Sequence, residues 1–412
     1  MAVAELESIV GGDGVRPPDE YAVDGQTPRA AVAPGSYQEV AAVMRCAHAE
    51  GLAVIPRGAG SHVHIGNTPA RYDLALDLRR LNAIVEYEPA DMTVTCQAGI
   101  SLAALRSHLA PHGQLAPLGA FDAQATVGGI LAANAYDATR YAYGTARDFT
   151  IGMRVVTADG RLTRAGGRVV KNVAGYDLCK AYVGSLGTLG VIVEASFKLA
   201  PLPRAERAAV AAFDAPAAAC ALAGELRRRG LSVRSLQLLN RAAAEATALA
   251  DGPYTLAVDL AGSAAAVERS WRELEALADV RALDAPPDVA GAVVLAQSVL
   301  LCKASVLPTR LPALIESLQE AAEPPRVLAL PGAGVCYAGW PEPGDVMAAM
   351  GRVIGLASEA GGSLVVERCP AEVKRGLDVF GEPPPSFALM RRLKEELDPK
   401  GVLSPGRFLG RL

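Results

Sequence analysis

The segment 56–61, Pro-Arg-Gly-Ala-Gly-Ser, has the composition of a loop that binds phosphate groups. Gly58 and Gly60 leave consecutive backbone N–H groups uncovered by side chains, and Ser61 adds a hydroxyl donor. Such a set of donors suits a diphosphate. A tight turn after a buried strand would need the same glycines, so this segment by itself leaves both interpretations open.

Two further segments rich in small residues strengthen the interpretation as a binding site. They are Thr126-Val-Gly-Gly129 and Gly184-Ser-Leu-Gly-Thr-Leu-Gly190. Each lies at the edge of a predicted strand or helix, where backbone groups are able to reach a ligand. Close packing of one backbone against another remains the alternative for each of these glycines.

The elements before the first loop argue against a nicotinamide site. Residues 36–39, Ser-Tyr-Gln-Glu, form a capping box that predicts a helix closed by Gly51, and the apolar run 52–55 predicts a buried strand leading into the loop. The order is therefore helix, strand, glycine loop. A Rossmann unit has the opposite order, in which a strand and a glycine loop lead directly into a helix.

The remaining pattern divides the chain into two parts. A β-rich run over 191–199 ends at Pro201 and Pro203, where we place a domain boundary. Earlier, Asp159-Gly160 between two predicted strands favours a type I′ hairpin turn. Beyond residue 204, strands alternate with Ala-rich helices in two similar runs, which we interpret as two degenerate split β-α-β units in one antiparallel sheet backed by helices.

Composition limits the classes of protein that the chain could belong to. With 412 residues, 51% hydrophobic and 20% charged, it is long and apolar enough for two packed domains. The formal net charge of −4, with scattered Lys and Arg, argues against a nucleic-acid partner. The apolar stretch 291–307 is interrupted by polar residues, and no signal-peptide pattern is present, so we expect a cytoplasmic protein without a transmembrane segment. Seven cysteines without a C-x-x-C pair predict reduced, mostly buried thiols and no metal site.

At this point the chain resembles the vanillyl-alcohol-oxidase superfamily of flavoproteins, also called the PCMH type. The resemblance rests on PRGAGS (56–61), TVGGILAAN (126–134), YGTARDFTIGMRVVTADG (143–160) and KNVAGYDLCKAYVGSLGTLGVIVEASFKLAP (171–201). The last string is most similar to the E-subunit family of bacterial glycolate oxidases. The resemblance implies an α+β protein with a two-subdomain FAD-binding domain, a smaller ferredoxin-like cap and a C-terminal tail that returns to the FAD domain. The expected divisions are an N-terminal segment 1–23, the FAD domain 24–203, the cap 204–385 and the tail 386–412.

The resemblance also assigns site residues and a cofactor, which is non-covalent FAD. It implies that Pro56, Arg57, Gly58, Ala59, Gly60 and Ser61 hold the diphosphate, and that Gly129, Arg147 and Asp148 line the flavin cleft. It further implies that Gly187, Thr188, Gly190, Val191 and Ile192 contact the ribityl and adenosine parts, and that Gly119 and Thr126 also bind the cofactor. Relatives with covalent FAD use a His where this chain has Ser61, so His62 and His64 are expected only to shape the loop. Lys171 and Tyr176 either face a substrate carboxylate or reduced flavin, or form a structural network. In the tail, Ser404 replaces the usual Asn of the family.

The distribution of histidines bears on catalysis. All five, at positions 48, 62, 64, 108 and 112, precede residue 113, and no GDGN string occurs, although catalytic relatives have both a metal-binding GDGN-x-x-H string and histidines in the cap. Oxidation of a 2-hydroxy acid needs a base and cations in addition to the hydride acceptor. We therefore favour an FAD-binding subunit of a glycolate-oxidising complex, with a catalytic flavoprotein and an iron–sulfur subunit as partners that could hold it at a membrane. A self-sufficient FAD dehydrogenase and a flavin-free assembly subunit remain the alternatives, and no catalytic residue is assigned.

Overall fold

A computed structural model describes residues 2–167, 176–250, 252–286 and 297–412. The α+β class predicted from the sequence is confirmed. The chain divides into two compact units. The first consists of Met1–Ala135, Thr145–Pro201 and Lys374–Leu412, and the second of Tyr136–Gly144 and Leu202–Val373.

The first unit contains a small, mostly parallel sheet that positions the glycine loop. Its strand order is β1-β2-β4-β3, where β2, β4 and β3 run parallel and β1 is antiparallel to β2. The strands are β1 (Val15–Arg16), β2 (Ala30–Val32), β3 (Val54–Arg57) and β4 (Leu74–Asp77). Helices α1 (Ala2–Val10) and α2 (Tyr37–Glu50) pack beside this sheet around a core of Val, Leu and Met side chains.

The predicted cap at Ser36 and the end of the helix at Gly51 are confirmed, but the reciprocal half of the capping box is shifted by one residue. The Ser36 hydroxyl accepts from the Glu39 amide, the Glu39 carboxylate accepts from the amide of Gly35, not from that of Ser36, at 2.8 Å, and Gly51 ends α2 in the left-handed region at φ 67°. Because α2 ends at a fixed residue, the chain re-enters the sheet as β3 and delivers the loop that follows to the sheet edge.

The second sheet of this unit is antiparallel, with the order β5-β6-β10-β8-β9. Its strands are β5 (Ile84–Glu88), β6 (Thr93–Gln97), β8 (Thr150–Val156), β9 (Leu162–Gly166) and β10 (Val191–Lys198), and a separate short pair joins β7 (Gln114–Leu115) to β11 (Ala200–Pro201). The helices of this part are α3 (Leu102–Leu109), α4 (Val127–Ala133), α6 (Ala146–Phe149) and α7 (Cys179–Tyr182), and those of the C-terminal part are α13 (Ala371–Arg375) and α14 (Phe387–Leu397).

The prediction of a type I′ turn at Asp159-Gly160 is wrong. A type I′ turn requires positive φ at both central residues, but here only Gly160 has it, at 78°. The connection between β8 and β9 spans residues 157–161, because the Thr157 hydroxyl donates to the Asp159 carboxylate and accepts from the Arg161 amide. These side-chain contacts stabilise a longer loop.

The second unit is one antiparallel sheet of eight strands with the order β15-β12-β14-β13-β17-β18-β16-β19. Two successive runs of the chain each follow a β-α-β-β-α-β order, with one extra short helix, α9, in the first. The first run is β12 (Ala205–Phe213), α8 (Pro216–Arg228), β13 (Val233–Asn240), α9 (Arg241–Ala246), β14 (Tyr254–Gly262), α10 (Ala264–Leu277) and β15 (Arg281–Leu283). The second is β16 (Leu300–Ser305), α11 (Leu311–Gln319), β17 (Arg326–Leu330), β18 (Val335–Trp340), α12 (Val346–Glu359) and β19 (Ser363–Arg368), and the unit also contains α5 (Arg140–Tyr143).

Among the described residues, no helix combines the length and apolar character that a membrane span would require.

Candidate functional site

Two adjoining pockets in the first unit form one cleft along the glycine loop. The loop leaves β3 and faces the start of α4, so Pro56, Arg57, Gly58, Thr126 and Gly129 line both pockets. Further lining residues of one pocket or the other are Ala59, Gly60, Ser61, His62, Val63, Gly128, Gly187, Gly190 and Ile192.

The approach of the loop to α4 explains the requirement for glycine at position 58. A Cβ at Gly58 would lie 1.9 Å from the Thr126 hydroxyl oxygen, and that hydroxyl caps α4 by accepting from the Gly129 amide. Gly60 has φ +87°, and a Cβ there would lie 2.6 Å from an Arg57 guanidinium nitrogen. Any side chain at either position would therefore enter the space between the loop and its neighbours.

The Arg57 guanidinium supplies a cation with unsatisfied hydrogen-bonding capacity. Its centre lies 5.2 Å from the centroid of the Tyr21 ring, which orients the group. Its Nη1 atom is buried and has no hydrogen-bond partner within the described chain. Because a buried donor without an acceptor is costly, this atom fits an anionic ligand in the cleft.

The second glycine segment approaches the loop from the other side. Gly187 has φ +72°, and a Cβ there would lie 3.4 Å from Pro56 and 3.5 Å from the Ser404 hydroxyl oxygen. Ser404 is fully buried with φ 43°, its amide donates to the carbonyl of Val54 at 2.8 Å, and its hydroxyl has no partner among the described atoms. The C-terminal tail thus packs along β3 beside the cleft.

A buried ion cluster, formed by Asp24, Lys374 and Arg407, anchors the residues that follow the loop. Lys374 Nζ lies 3.0 Å from an Asp24 carboxylate oxygen and donates to the His64 carbonyl at 2.7 Å. Arg407 lies 3.4 Å from the other Asp24 oxygen and donates to the carbonyls of Val63 and Asn67 at 2.6 and 3.0 Å. Burial lowers the pKa of Arg407, while Asp24 and Tyr72 oppose that shift. Arg407 also lines the cleft, so its guanidinium contributes positive charge there.

A second buried ion pair joins the tail to the 184–190 segment. Lys394 Nζ lies 2.5 Å from the Asp398 carboxylate and donates to the carbonyls of Thr188 and Leu403, both at 2.9 Å. Burial lowers the pKa of Lys394 and the charge of Asp398 counteracts it. None of the residues in these two ion clusters was predicted from the sequence, because their role depends on contacts between segments that are remote in the chain.

The structure brings most, but not all, of the predicted site residues to the cleft. Residues 56–61, Thr126, Gly129, Gly187, Gly190 and Ile192 line it, whereas Gly119, Arg147, Asp148, Thr188 and Val191 do not. Asp148 accepts from the Thr145 amide at 2.8 Å and so caps α6, and Val191 is buried in the apolar core. Gly190 also has a packing role, since a Cβ there would lie 2.4 Å from the Val155 side chain.

The remaining side chains singled out in the sequence have varied surroundings. Ser61 hydrogen-bonds through its hydroxyl to the Asp122 carboxylate. The carbonyl of His64 belongs to the loop anchor, and His62 lines the cleft. Tyr176 is 96% exposed, and Lys171 lies outside the described residues. The described part of the chain contains no group of three or more His, Cys, Asp or Glu side chains placed to hold a metal ion.

Comparison with protein families identifies two regions of the chain. Residues 28–166 match the FAD binding domain model, and residues 341–408 match the model for the C-terminal domain of FAD linked oxidases.

Individual relatives include several hydroxy-acid enzymes. The chain is 37% identical to D-2-hydroxyglutarate dehydrogenase of Xanthomonas citri pv. viticola over 43% of this chain and 38% of that enzyme, so the match spans about two fifths of the relative's length. It is 24% identical to glycolate oxidase subunit GlcD of Bacillus subtilis over 93% of this chain and 89% of that one. It is 41% identical to glycolate oxidase subunit GlcE of Escherichia coli over 32% of this chain and 38% of that one.

Solved structures agree on the fold. Alkyldihydroxyacetonephosphate synthase superposes with a TM-score of 0.74 at 18% identity, covering 98% of this chain and 84% of that one. p-Cresol methylhydroxylase superposes with the same TM-score at 16% identity, covering 98% and 96%.

The chain therefore combines an FAD binding domain with the C-terminal domain of FAD linked oxidases, and it shares the fold of these solved structures. Over its matched part it resembles the E subunit of bacterial glycolate oxidase, as its sequence motifs predicted.

Proposed function

We propose that this chain is the FAD-binding subunit of a complex that oxidises glycolate, or a closely related 2-hydroxy acid, to the 2-oxo acid. The observation that carries the proposal is the glycine-lined cleft with the buried, unsatisfied Arg57 guanidinium in a chain that matches FAD-linked oxidases. The names of the relatives supply the substrate class, since they include glycolate oxidase subunits and D-lactate and D-2-hydroxyglutarate dehydrogenases.

In this proposal the FAD diphosphate binds to residues 56–61, where Arg57 neutralises part of its charge and the loop amides donate to its oxygens. Thr126 fixes the start of α4 against Gly58, and the Lys374–Asp24–Arg407 cluster holds the backbone that follows the loop. Gly119, Arg147, Asp148, Thr188 and Val191 remain proposed cofactor contacts. Bound FAD supplies the hydride acceptor of the reaction.

We further propose non-covalent attachment, because Ser61 occupies the position at which covalent relatives have a His. Acid precipitation of the purified protein should leave all flavin in the supernatant as FAD. Flavin remaining with the precipitate would contradict non-covalent attachment, and FMN in the supernatant would remove the diphosphate role of residues 56–61.

The proposed partners are a catalytic flavoprotein subunit and an iron–sulfur subunit that accepts electrons. The support for a divided activity is the absence of any histidine after His112, which leaves the second unit without an imidazole base. A self-sufficient dehydrogenase is the second candidate, favoured by the similarity to a D-lactate dehydrogenase of Archaeoglobus fulgidus over 99% of that enzyme at 27% identity.

The deciding experiment is anaerobic mixing of the FAD-loaded chain with millimolar glycolate while flavin absorbance near ~450 nm is followed, with and without the candidate partner subunits. We expect bleaching only when the catalytic partner is present. Rapid bleaching of the isolated chain would overturn the subunit role and favour the self-sufficient dehydrogenase. Purified protein that contains no flavin and binds none would instead support the assembly subunit.

A further inference from the structure

The parallel sheet of the first unit places the Arg57 guanidinium beside a buried carboxylate. Arg57 at the end of β3 and Asp77 at the end of β4 are register partners on adjacent strands. Two residues earlier on these strands, Ile55 and Ala75 pack in one apolar cluster with Tyr21. Because alternate side chains share a face, Arg57 and Asp77 lie on the Tyr21 side of the sheet. Opposite charges at paired positions attract each other, so the register by itself predicts an ion pair between Arg57 and Asp77.

The Asp77 carboxylate bonds to two other side chains instead. The Arg79 Nε atom donates to the two carboxylate oxygens at 3.1 and 3.0 Å, and its Nη2 atom donates to one of them at 2.7 Å. The Tyr21 hydroxyl donates to that same oxygen at 2.7 Å. These donors occupy both oxygens of Asp77, whereas the buried Nη1 atom of Arg57 has no hydrogen-bond partner among the described residues.

The protonation states fit this division of charge. Burial raises the pKa of Asp77, but the hydrogen bonds from Arg79 and Tyr21 outweigh it and leave the pKa below its ordinary value. Burial and the neighbouring Asp77 raise the pKa of Tyr21 above its ordinary value, so the phenol stays protonated and able to donate. Arg79 therefore neutralises the Asp77 carboxylate, which leaves the positive charge of Arg57 for another anion.

The Arg57 guanidinium is also restricted in position by its neighbours. Its centre lies 5.2 Å from the centroid of the Tyr21 ring, and Tyr21 is only 1% exposed. The Tyr72 hydroxyl donates to the Tyr21 carbonyl at 2.9 Å and so fixes the backbone that carries the ring. On the loop, a Cβ at Gly60 would lie 2.6 Å from a nitrogen of the guanidinium. The guanidinium is thus held against the backbone of the loop that is proposed to bind the diphosphate.

We infer that Arg79 and Tyr21 are positioning residues for FAD, because they engage the Asp77 carboxylate and so leave the Arg57 guanidinium available to the diphosphate. Within the described chain, neither side chain lines the two pockets of the cleft. Both act through Arg57, since Arg79 removes a competing anion and Tyr21 supports the cation with its ring. The inference rests on the proposed binding of the FAD diphosphate to residues 56–61.

The test is fluorescence titration of the full-length apoprotein with FAD. Arg79→Gln frees the Asp77 carboxylate to pair with Arg57, so FAD affinity should fall by about fivefold or more. The Arg79 side chain is 51% exposed, so this variant should fold. The matched control is Arg80→Gln, which removes the same charge from the next position, where the guanidinium donates to the Ala33 carbonyl at 2.8 Å. Its FAD affinity should stay within about twofold of wild type.

The role of the ring is tested at position 21. Tyr21→Leu removes the aromatic face from the Arg57 guanidinium and should weaken FAD binding by about fivefold. Tyr21→Phe keeps that face, and Arg79 still engages Asp77, so its FAD affinity should stay within about twofold of wild type. Equal losses in the two variants would overturn the role of the ring. If Tyr21→Leu does not fold, Tyr21→Phe decides, since a clear loss of FAD affinity overturns that role and an unchanged affinity supports it.

A double-mutant cycle separates positioning from a merely structural role. In an Arg57→Met background, Arg79→Gln should cause no further loss of FAD affinity, because its effect passes through Arg57. An equal further loss in that background, or wild-type affinity in Arg79→Gln itself, would overturn the inference, while a loss in Arg57→Met alone keeps the loop assignment. If Arg57→Met leaves FAD affinity unchanged, the proposed diphosphate site fails and the inference fails with it. If the FAD affinities follow the cycle but glycolate never reduces the flavin in the presence of the partner, the inference stands and the proposed substrate fails.

Discussion

Two buried polar atoms, Arg57 Nη1 in the cleft and Ser404 Oγ beside it, have no hydrogen-bond partner in the described structure. A buried donor or acceptor left unsatisfied costs roughly 1–3 kcal/mol, and native proteins seldom tolerate it without a reason. Arg57 follows Pro56 directly in the chain, and Ser404 lies next to Gly187, which in turn packs against Pro56. At the scale of single residues, this region therefore has hydrogen-bonding capacity that a polar ligand would satisfy.

The variant Ser404→Ala tests whether the Ser404 hydroxyl contacts FAD or serves only in packing. If the hydroxyl is satisfied only by FAD, its removal should leave the apoprotein at least as stable as wild type and weaken FAD binding by about fivefold, equivalent to one hydrogen bond of ~1 kcal/mol. Thermal melting of the apoprotein and fluorescence titration with FAD measure the two effects. Unchanged FAD affinity together with a more stable apoprotein would show that the hydroxyl does not contact the cofactor.

Gly58→Glu should give folded apoprotein that does not retain FAD. The new side chain begins where the Thr126 hydroxyl already lies, and its carboxylate would repel a diphosphate. The matched control is Gly224→Glu on the exposed side of α8, where a Cβ meets nothing within 4 Å, and this variant should keep its FAD. A normal flavin content in soluble Gly58→Glu would show that the loop 56–61 does not bind the diphosphate of FAD.

At the scale of elements, the Asp24–Lys374–Arg407 cluster fixes the backbone that follows the glycine loop, because its cations donate to the carbonyls of Val63 and His64. Asp24→Asn would remove the carboxylate that both buried cations contact, so we expect the free energy of unfolding to fall by about 3 kcal/mol. Urea denaturation checks this value. Glu268→Gln, which removes one partner of an exposed pair with Arg207, should cost less than about 1 kcal/mol. Equal urea midpoints for the two variants would show that the cluster is not an anchor.

Local elements were predictable from the sequence, while contacts between them were not. The cap at Ser36, the helix end at Gly51 and the glycine loop are each determined by neighbouring residues, so the local sequence pattern was enough to locate them. The loop 157–161 departed from the expected turn because the Thr157 side chain competes with the backbone for hydrogen bonds. The cluster of Asp24, Lys374 and Arg407 spans more than 380 positions, which no local pattern reveals.

The same distinction between local pattern and remote contact holds for the predicted site residues. Gly58, Gly60 and Gly187 line the cleft at positions where a close neighbour or a positive φ requires glycine, and glycine-rich segments are visible directly in the sequence. Arg147 and Asp148 were inferred from the resemblance alone, and Asp148 satisfies its own helix instead of lining the cleft. Arg57 and Asp77 are brought side by side only by strand register, which the sequence does not specify without the connections that set it.

At the scale of the whole molecule, five of the seven cysteines are buried, namely Cys46, Cys96, Cys179, Cys302 and Cys336. This agrees with the expectation of mostly buried thiols. Burial raises the pKa of Cys179 and Cys220 to about 11, and that of Cys96 and Cys336 to about 12, from the ordinary value of 9.0. These thiols therefore remain protonated in the folded chain at a pH where the unfolded chain has already ionised.

This difference predicts a loss of stability on the alkaline side. Because the folded pKa values are raised, the stabilisation is complete below pH 9 and declines as the pH rises from 9 towards 11–12, by up to about 1.4 kcal/mol per thiol and pH unit. Urea midpoints measured under reducing conditions should fall between pH 8 and pH 9.5, a range in which at most about a quarter of the tyrosines of the unfolded chain are ionised, given their ordinary pKa of 10.0. A Cys96→Ala/Cys179→Ala variant should fall less steeply over the same range, since it lacks two of the shifted groups. A slope identical to that of wild type would show that these thiols ionise equally in both states, and that their burial does not govern the alkaline stability of the fold.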